Sequence, residues 1–186
     1  MASNRHLGRI IVLQTLYEQE FRRASHDENF ELADVLARNI ARYEATVDDK
    51  AFIEQLVRGV TKDEEKLDVT LQPIAPEWPI DQIARMDRIV LRIGLYELQH
   101  GDVPPKVVIN EAVELAKAFG SENSSKFVNG VLGTVLRQIE VAAGKVVEHS
   151  TDIVSKQKAE KTVTKESTEE IEKTATNTTK TKETIA

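Results

Sequence analysis

Residues 86–130 read MDRIVLRIGLYELQHGDVPPKVVINEAVELAKAFGSENSSKFVNG, and this stretch decides the fold. It holds two segments whose apolar residues recur three and four positions apart, which is typical of amphipathic helices. Pro104 and Pro105 mark an elbow between the segments, since proline is tolerated in the first turn of a helix. An Asn-Glu pair and then a Lys-Phe pair follow. No residue here resembles a catalytic centre, so the stretch predicts a helical scaffold that carries a recognition surface.

The same spacing continues on both sides and predicts an all-α protein of about seven helices. The segment from 80 to 100 is apolar on several faces, so we expect that helix to be nearly surrounded by others. Ser25 and Asp27 are candidate caps for the second helix. The predicted helices cover about 4–24, 30–43, 48–60, 63–72, 80–100, 105–120 and 121–143.

Three prolines between Pro73 and Pro79 mark the best internal boundary. We therefore expect two packed helical subdomains, at about 1–72 and 80–144. Residues 145–186 contain no aromatic residue, glycine or proline. Such a segment cannot bury enough apolar surface to offset its loss of conformational entropy. It is predicted to be a disordered, low-complexity tail.

Charge is distributed unevenly along the chain. The formal net charge is −6, and the tail has equal numbers of lysines and acidic residues. Residues 1–23 carry a balance of +2, whereas residues 24–144 carry −8. Because nonspecific nucleic-acid affinity grows with the number of phosphates that basic residues neutralise, this is not a general polyanion binder. Any nucleic acid would be bound through a small patch, with help from a partner.

The sequence lacks the usual signatures of catalysis. It has no cysteine, and its four histidines are scattered without metal-binding spacing. Glycine-rich phosphate loops and nucleophile elbows are also absent. The Asn110-Glu111 pair is interpreted mainly as a hydrogen-bonded contact between helices. No apolar run is long enough to span a membrane and no signal peptide is apparent. We expect an intracellular protein that is not an enzyme and has no cofactor, metal or small-molecule substrate.

Four blocks of sequence then suggest a family. They are RIIVLQTLY at 9–17, DRIVLRIGLYEL at 87–98, VPPKVVINEAVELAK at 103–117 and KFVNGVL at 126–132. In order and spacing they resemble the NusB family of bacterial transcription antitermination factors, over about residues 4–140. The resemblance implies two packed helical subdomains and a cytoplasmic, non-catalytic role. It also implies binding of boxA RNA as a heterodimer with NusE, a ribosomal small-subunit protein. That complex would join the RNA polymerase elongation complex and other Nus factors in ribosomal RNA operons.

The resemblance assigns RNA contacts to the first helix. Arg5 and Arg9 match the arginine-rich start of the family's first helix, while His6 and Leu7 stand where further arginines are usual. With His6, the two arginines form the basic head that we expect to attract phosphates. Gln14, further along the helix, is expected to reach a base edge. The reduced arginine content predicts weak RNA binding by the chain alone.

Four further residues receive roles by resemblance. Lys126 and Phe127 match an RNA-contacting pair, with Lys126 suited to a phosphate and Phe127 to base stacking. Phe127 could instead be a core aromatic residue. Tyr17 and Asp87 match positions on the NusE-facing surface, and Tyr17 could equally belong to the core.

Two other functions stay open at this point. NusB-like domains also precede ribosomal RNA cytosine methyltransferases, but such an enzyme needs a further domain with a glycine-rich turn, for which this chain has neither the length nor the motif. The other is a helical protein-interaction domain that has lost RNA binding, suggested by the small number of arginines in the first helix.

Overall fold

The computed structural model describes the backbone of residues 2–76 and 78–144, and the side chains in these ranges from residue 5 onward. All regular structure in these ranges is helical, which confirms the all-α prediction. The predicted tail at 145–186 lies outside the described residues. The helices are α1 (Ala2–Ala24), α2 (Leu32–Arg42), α3 (Lys50–Lys62), α4 (Glu64–Leu71), α5 (Arg85–His100), α6 (Pro105–Phe119) and α7 (Ser124–Ala142), with a 3-10 turn at Gln72–Ile74.

Helix α5 is the centre of the molecule. It packs against α1, α3 and α4 on one side and against α6 and α7 on the other. Its run from Ile89 to Leu95 is fully buried, as predicted from apolar residues on several faces. Helices α2 and α3 each pack on α1, and α6 packs on α7, so two helical groups meet through α5. The expected pair of subdomains, at about 1–72 and 80–144, stays a prediction.

One close approach between helices depends on glycine. A Cβ atom at Gly59 of α3 would lie 2.1 Å from Cζ of Tyr96 on α5. The Tyr96 ring therefore occupies the space that any larger residue at position 59 would need. Helices α3 and α5 can pack at this point because position 59 has no side chain.

The predicted caps of α2 and the predicted start of α5 were wrong. Ser25 and Asp27 do not cap α2: the Ser25 hydroxyl donates to the carbonyl of Phe21 and closes the end of α1, while Asp27 accepts from the backbone of Asn29 in the loop. Helix α5 begins at Arg85 and not at Ile80.

The reason for the late start of α5 is a turn. The N–H of Gln82 donates to the carbonyl of Pro79 over 2.8 Å. Ile83 is buried and Ile80 packs against the core. The spacing of Ile80 and Ile83 is typical of a helix, but here a turn buries the same apolar residues. No helix within the described ranges is both long and apolar enough to cross a membrane.

Candidate nucleic-acid and partner-binding surfaces

Arg9 lies inside the protein. It is 2% exposed, and its Nε and Nη2 atoms donate to Oε2 and Oε1 of Glu97 over 2.8 and 2.7 Å. Its Nη1 atom is 3.6 Å from Oε2 of Glu111. A buried arginine whose guanidinium is held by two hydrogen bonds to a carboxylate has no free face for a phosphate. The structure therefore argues against the expected direct RNA contact of Arg9.

The other two members of the basic head also have acidic neighbours. Arg5 is partly exposed and lies 3.4 Å from Asp49 and 3.2 Å from Asp102. Nδ1 of His6 is 2.7 Å from Oε2 of Glu111. These carboxylates come from residues far from α1 in the chain. They offset the positive balance that the first 23 residues have when counted alone.

Phe52 completes this region. The guanidinium groups of Arg5 and Arg9 lie 5.0 and 5.3 Å from the centre of its ring, within the range of cation–π attraction.

Glu111, from the Asn110-Glu111 pair, accepts from His6 on α1. This confirms the interpretation of Glu111 as a polar contact between helices.

Lys126 and Phe127 lie at the start of α7, where Lys126 is exposed and Phe127 is half-buried. Phe127 packs against the core and also lines a surface cleft with Trp78 of the linker. Phe127 is therefore in part a core residue, and its stacking with RNA stays a prediction. Arg5 lines a different cavity, with Tyr96 and other residues. Arg5 and the Lys-Phe pair thus line two different cavities.

An aromatic patch, which we define as Tyr17, Phe21 and Arg85, lies on α1 and the start of α5. Tyr17 is 38% and Phe21 53% exposed. The Arg85 guanidinium lies 5.7 Å from the centre of the Tyr17 ring and 5.9 Å from that of Phe21. Half-buried Gln14 is one helical turn before Tyr17. Sequence reasoning missed Phe21 and Arg85, although Phe21 is four residues after Tyr17 and so lies on the same helix face.

Asp87, the other expected partner-binding residue, is mostly enclosed. It is 7% exposed, and its Oδ2 atom accepts a 2.8 Å hydrogen bond from the hydroxyl of Ser124. The same hydroxyl accepts from the backbone N–H of Ser121 just before α7. The Oδ1 atom is buried and has no hydrogen-bond partner among the described residues. Asp87 thus joins α5 to the start of α7, and the structure argues against a broad contact with a partner.

Glu20 of α1 holds the arginines of α5 in place. It lies 2.7 Å from Arg88 and 3.6 Å from Arg85, and it also pairs with Arg92. Burial lowers the pKa of Arg92, but the hydrogen bonds from its guanidinium to Asp68 and the nearby acidic charges outweigh this effect and raise it. Arg92 is therefore always charged and belongs to a structural network. Arg85, at the edge of this network, lies over the rings of Tyr17 and Phe21 and joins the network to the aromatic patch.

Comparison with known proteins identifies the family. The NusB family model matches residues 6–137. The chain belongs to the NusB family of transcription antitermination factors. Its NusB relatives include the transcription antitermination protein of Dehalococcoides mccartyi strain CBDB1, 42% identical over 75% of this chain and 94% of that protein. That of Chloroflexus aggregans is 43% identical over 73% of this chain and 89% of its own length.

Solved structures agree with this assignment. The chain is similar to T. maritima NusB, with a TM-score of 0.64 and 31% identity over 72% of this chain and 91% of that one. A second structure, of antitermination factors NusB and NusE in complex with dsRNA, has a TM-score of 0.62. At 23% identity over 74% of this chain and 99% of that one, it supports the fold alone.

Proposed function

We propose that this protein binds boxA-type RNA in nascent ribosomal RNA transcripts as a heterodimer with NusE, the ribosomal small-subunit protein. The heterodimer joins the RNA polymerase elongation complex with other Nus factors and suppresses termination. The protein acts in the cytoplasm by stoichiometric binding and catalyses no reaction. The observation that carries the proposal is membership of the NusB family across residues 6–137.

A protein of the same fold forms a complex with NusE and RNA. We propose the same two partners for this chain because it belongs to the NusB family. The surface chemistry supports an RNA site at Lys126 and Phe127. Lys126 has no carboxylate partner within the described residues, so its charge is available to a phosphate. Phe127 exposes part of its ring at a cleft, which suits stacking with a single-stranded base.

The basic head contributes less than its composition suggests. Arg5 and His6 reach solvent while paired with carboxylates, and Arg9 is internal. We assign Arg5 and His6 to the rim of the RNA site, and we give Arg9 the role of fixing α1 against α5. Gln14 stays a proposed base contact. The protein alone therefore binds RNA weakly, and NusE supplies further contacts.

The aromatic patch is the proposed contact with NusE. Aromatic and arginine side chains contribute most of the binding energy at many protein interfaces. In the aromatic patch, the Arg85 guanidinium lies over the rings of Tyr17 and Phe21. Asp87 holds the start of α5, the helix that carries Arg85, to α7 through Ser124.

Fluorescence anisotropy of a labelled boxA RNA, titrated with the protein, with NusE and with both, tests the RNA assignment. We expect the mixture to bind far more tightly than either protein alone. Lys126→Ala should weaken binding and reduce the slope of log affinity against log salt by about 0.7, the value for one single-strand phosphate contact. Exposed Lys62 of α3 provides the matched control, and Lys62→Ala should change neither quantity. An equal effect of both lysine variants would place the RNA elsewhere.

The NusE assignment is tested by pull-down and calorimetry without RNA. Tyr17→Ala combined with Phe21→Ala should weaken NusE binding at least tenfold. Val141, which is 68% exposed on α7, provides an apolar control, and Val141→Ala should bind normally. Unchanged affinity of the double variant would remove the aromatic patch from the interface.

One observation favours a second function. Because every member of the basic head is paired with a carboxylate, the protein could be a helical interaction module that has lost RNA binding. That function predicts normal association with NusE and no gain in RNA affinity when the two are mixed. The anisotropy titration separates the two functions.

A further inference from the structure

A cleft separates the linker from the start of α7, and neither the family match nor the residues carried over by resemblance account for its linker side. Its volume is about 400 Å³, within the range of small-ligand sites. None of its described lining residues is acidic. They are Ile74, Ala75, Pro76, Trp78, Lys126, Phe127, Gly130 and Val131. We call it the linker cleft.

Trp78 is the only tryptophan in the chain, and it is 57% exposed. A side chain of this size usually buries most of its apolar surface, so one that leaves half in water suggests a ligand. In the sequence, Trp78 lies between Pro76 and Pro79. The prolines there predicted a boundary between subdomains but gave no sign of a binding site.

The backbone that carries Trp78 is held in place. Its N–H donates to the carbonyl of Ala75 over 3.0 Å. Its carbonyl accepts from Nε2 of Gln72 over 3.4 Å, and Oε1 of the same Gln72 accepts from the N–H of Ile80 over 2.9 Å. Hydrogen bonds thus tie the backbone of Trp78 and of Ile80 to Gln72, which directly follows α4.

The opposite wall has the complementary chemistry. Phe127 offers part of an aromatic face, and Lys126 beside it offers a charge that no carboxylate in the described residues neutralises. Gly130 lies one turn further along α7, and a Cβ atom at this position would meet nothing within 4 Å. The absence of a side chain at Gly130 leaves the cleft open between the two aromatic residues.

We propose that the linker cleft binds one unstacked base of single-stranded RNA between Trp78 and Phe127, with Lys126 contacting the adjacent phosphate. Two aromatic faces and one cation suit a nucleotide, because every base has a π-face and every nucleotide a negative charge. This inference rests on the proposed RNA binding and extends it to a residue of the linker. Trp78 acts as a stacking residue.

The test uses the full chain with NusE and a labelled single-stranded boxA-type RNA. Trp78→Ala should weaken binding about 5- to 150-fold, the range for loss of one stacked base. The salt slope should not change, because no charge is removed. Trp78→Phe keeps an aromatic face and should retain most of the affinity. In the protein without NusE, RNA at saturating concentration should quench the fluorescence of the single tryptophan.

A pair of glycine variants tests the cleft without altering either aromatic residue. Gly130→Leu places a side chain in the cleft and should weaken RNA binding. Gly133→Leu is the matched control on the same helix, since a Cβ atom there also meets nothing within 4 Å and Gly133 does not line the cleft. It should bind RNA normally. Circular dichroism melting of all variants checks that each is folded.

The outcomes distinguish this inference from the function on which it rests. If wild-type protein with NusE fails to bind RNA, the proposed function is overturned and this inference with it. If wild type binds while Trp78→Ala and Gly130→Leu bind equally well, the inference alone is wrong. Loss of NusE binding by Trp78→Ala in the absence of RNA would show that the cleft holds a protein segment, and it would also overturn the inference.

Discussion

Arg9 and Glu97 form a two-pronged ion pair in the interior, joining the first helix to the central one. The guanidinium donates to both carboxylate oxygens over 2.7 and 2.8 Å, and the two side chains are 3% and 4% exposed. Because both side chains are buried, each charge depends on the other, and loss of either leaves a buried charge without its partner. The pair therefore fixes α1 against α5, and residues on both helices contribute to the proposed interfaces.

Removal of one member of this pair should be strongly destabilising. We expect Arg9→Met to lower the free energy of unfolding by about 3–5 kcal/mol, because it leaves the Glu97 carboxylate buried without its partner. The double variant Arg9→Met with Glu97→Leu should recover much of this loss, since no charge remains buried. Urea unfolding measures both. A loss below about 1 kcal/mol in the single variant would show that water reaches the pair.

Gly59 should not tolerate a side chain. In Gly59→Ala the new methyl group would overlap the Tyr96 ring, which is also stacked on His100 with ring centres 4.6 Å apart. We expect the displaced ring to cost about 1–3 kcal/mol of stability, the usual range for overpacking. Gly133→Ala is the control and should be neutral or stabilising by up to about 1 kcal/mol, since alanine favours helix. Equal thermal melting of the two variants would contradict the close approach of α3 and α5.

Asp87 should affect stability more than partner binding. Asp87→Ala removes the acceptor of the Ser124 hydroxyl, and the expected loss in a denaturant titration is about 1–3 kcal/mol. Asp87→Asn keeps the shape and an oxygen acceptor, so it should bind NusE within about threefold of wild type. If Asp87→Asn were as stable as wild type and bound NusE more than tenfold less tightly, Asp87 would be a direct contact after all.

Two carboxylates, Glu18 of α1 and Asp27 of the loop after α1, should make the protein sensitive to acid. Burial raises the pKa of Glu18, but hydrogen bonds from Arg38 and Arg22 outweigh this and hold it below its ordinary value of 4.5. The hydrogen bond from Arg22, with one from the Asn29 backbone, lowers the pKa of Asp27 below 3.8. Lowered values mean that these carboxylates stabilise the fold above about pH 4.5, and the stabilisation is lost as the pH falls through their folded values.

Melting temperatures between pH 6 and pH 2 measure this effect. Glu18→Gln removes one of the titrating groups, so its melting temperature should fall less steeply with acid than that of wild type. Glu54→Gln on α3 is the comparison. Glu54 is exposed and pairs with Arg58, and because surface pairs of this kind contribute little to stability, this variant should keep the wild-type slope. A wild-type slope in Glu18→Gln would contradict the assignment.

Much of the fold follows from the sequence alone. Apolar residues three and four apart bury one face of each helix, and the segment around Ile89–Leu95 is apolar on several faces, so it can be stable only inside a bundle. The number of helices, the central place of α5 and the break near Pro73 could be predicted for this reason. The motifs at 87–98, 103–117 and 126–132 also indicated the family, because they lie in short continuous stretches.

Charge and exposure could not be predicted in the same way. The first helix is basic when read by itself, but the carboxylates that neutralise it come from Asp49, Glu97, Asp102 and Glu111, which only the tertiary structure brings to α1. Aspartate is usually found at the surface, yet Asp87 is buried and accepts a hydrogen bond from Ser124 of α7.

The same holds for the linker and for the aromatic patch. The sequence predicted helix from Ile80, and apolar spacing alone cannot tell a helix from a turn that buries the same residues. Arg85 lies over the ring of Phe21, which is 64 positions away in the chain. Trp78 and Phe127, which line the same cleft, are 49 positions apart. Local periodicity therefore determined which residues form helices, whereas contacts between distant residues decided which charges are free and which aromatic faces remain available for binding.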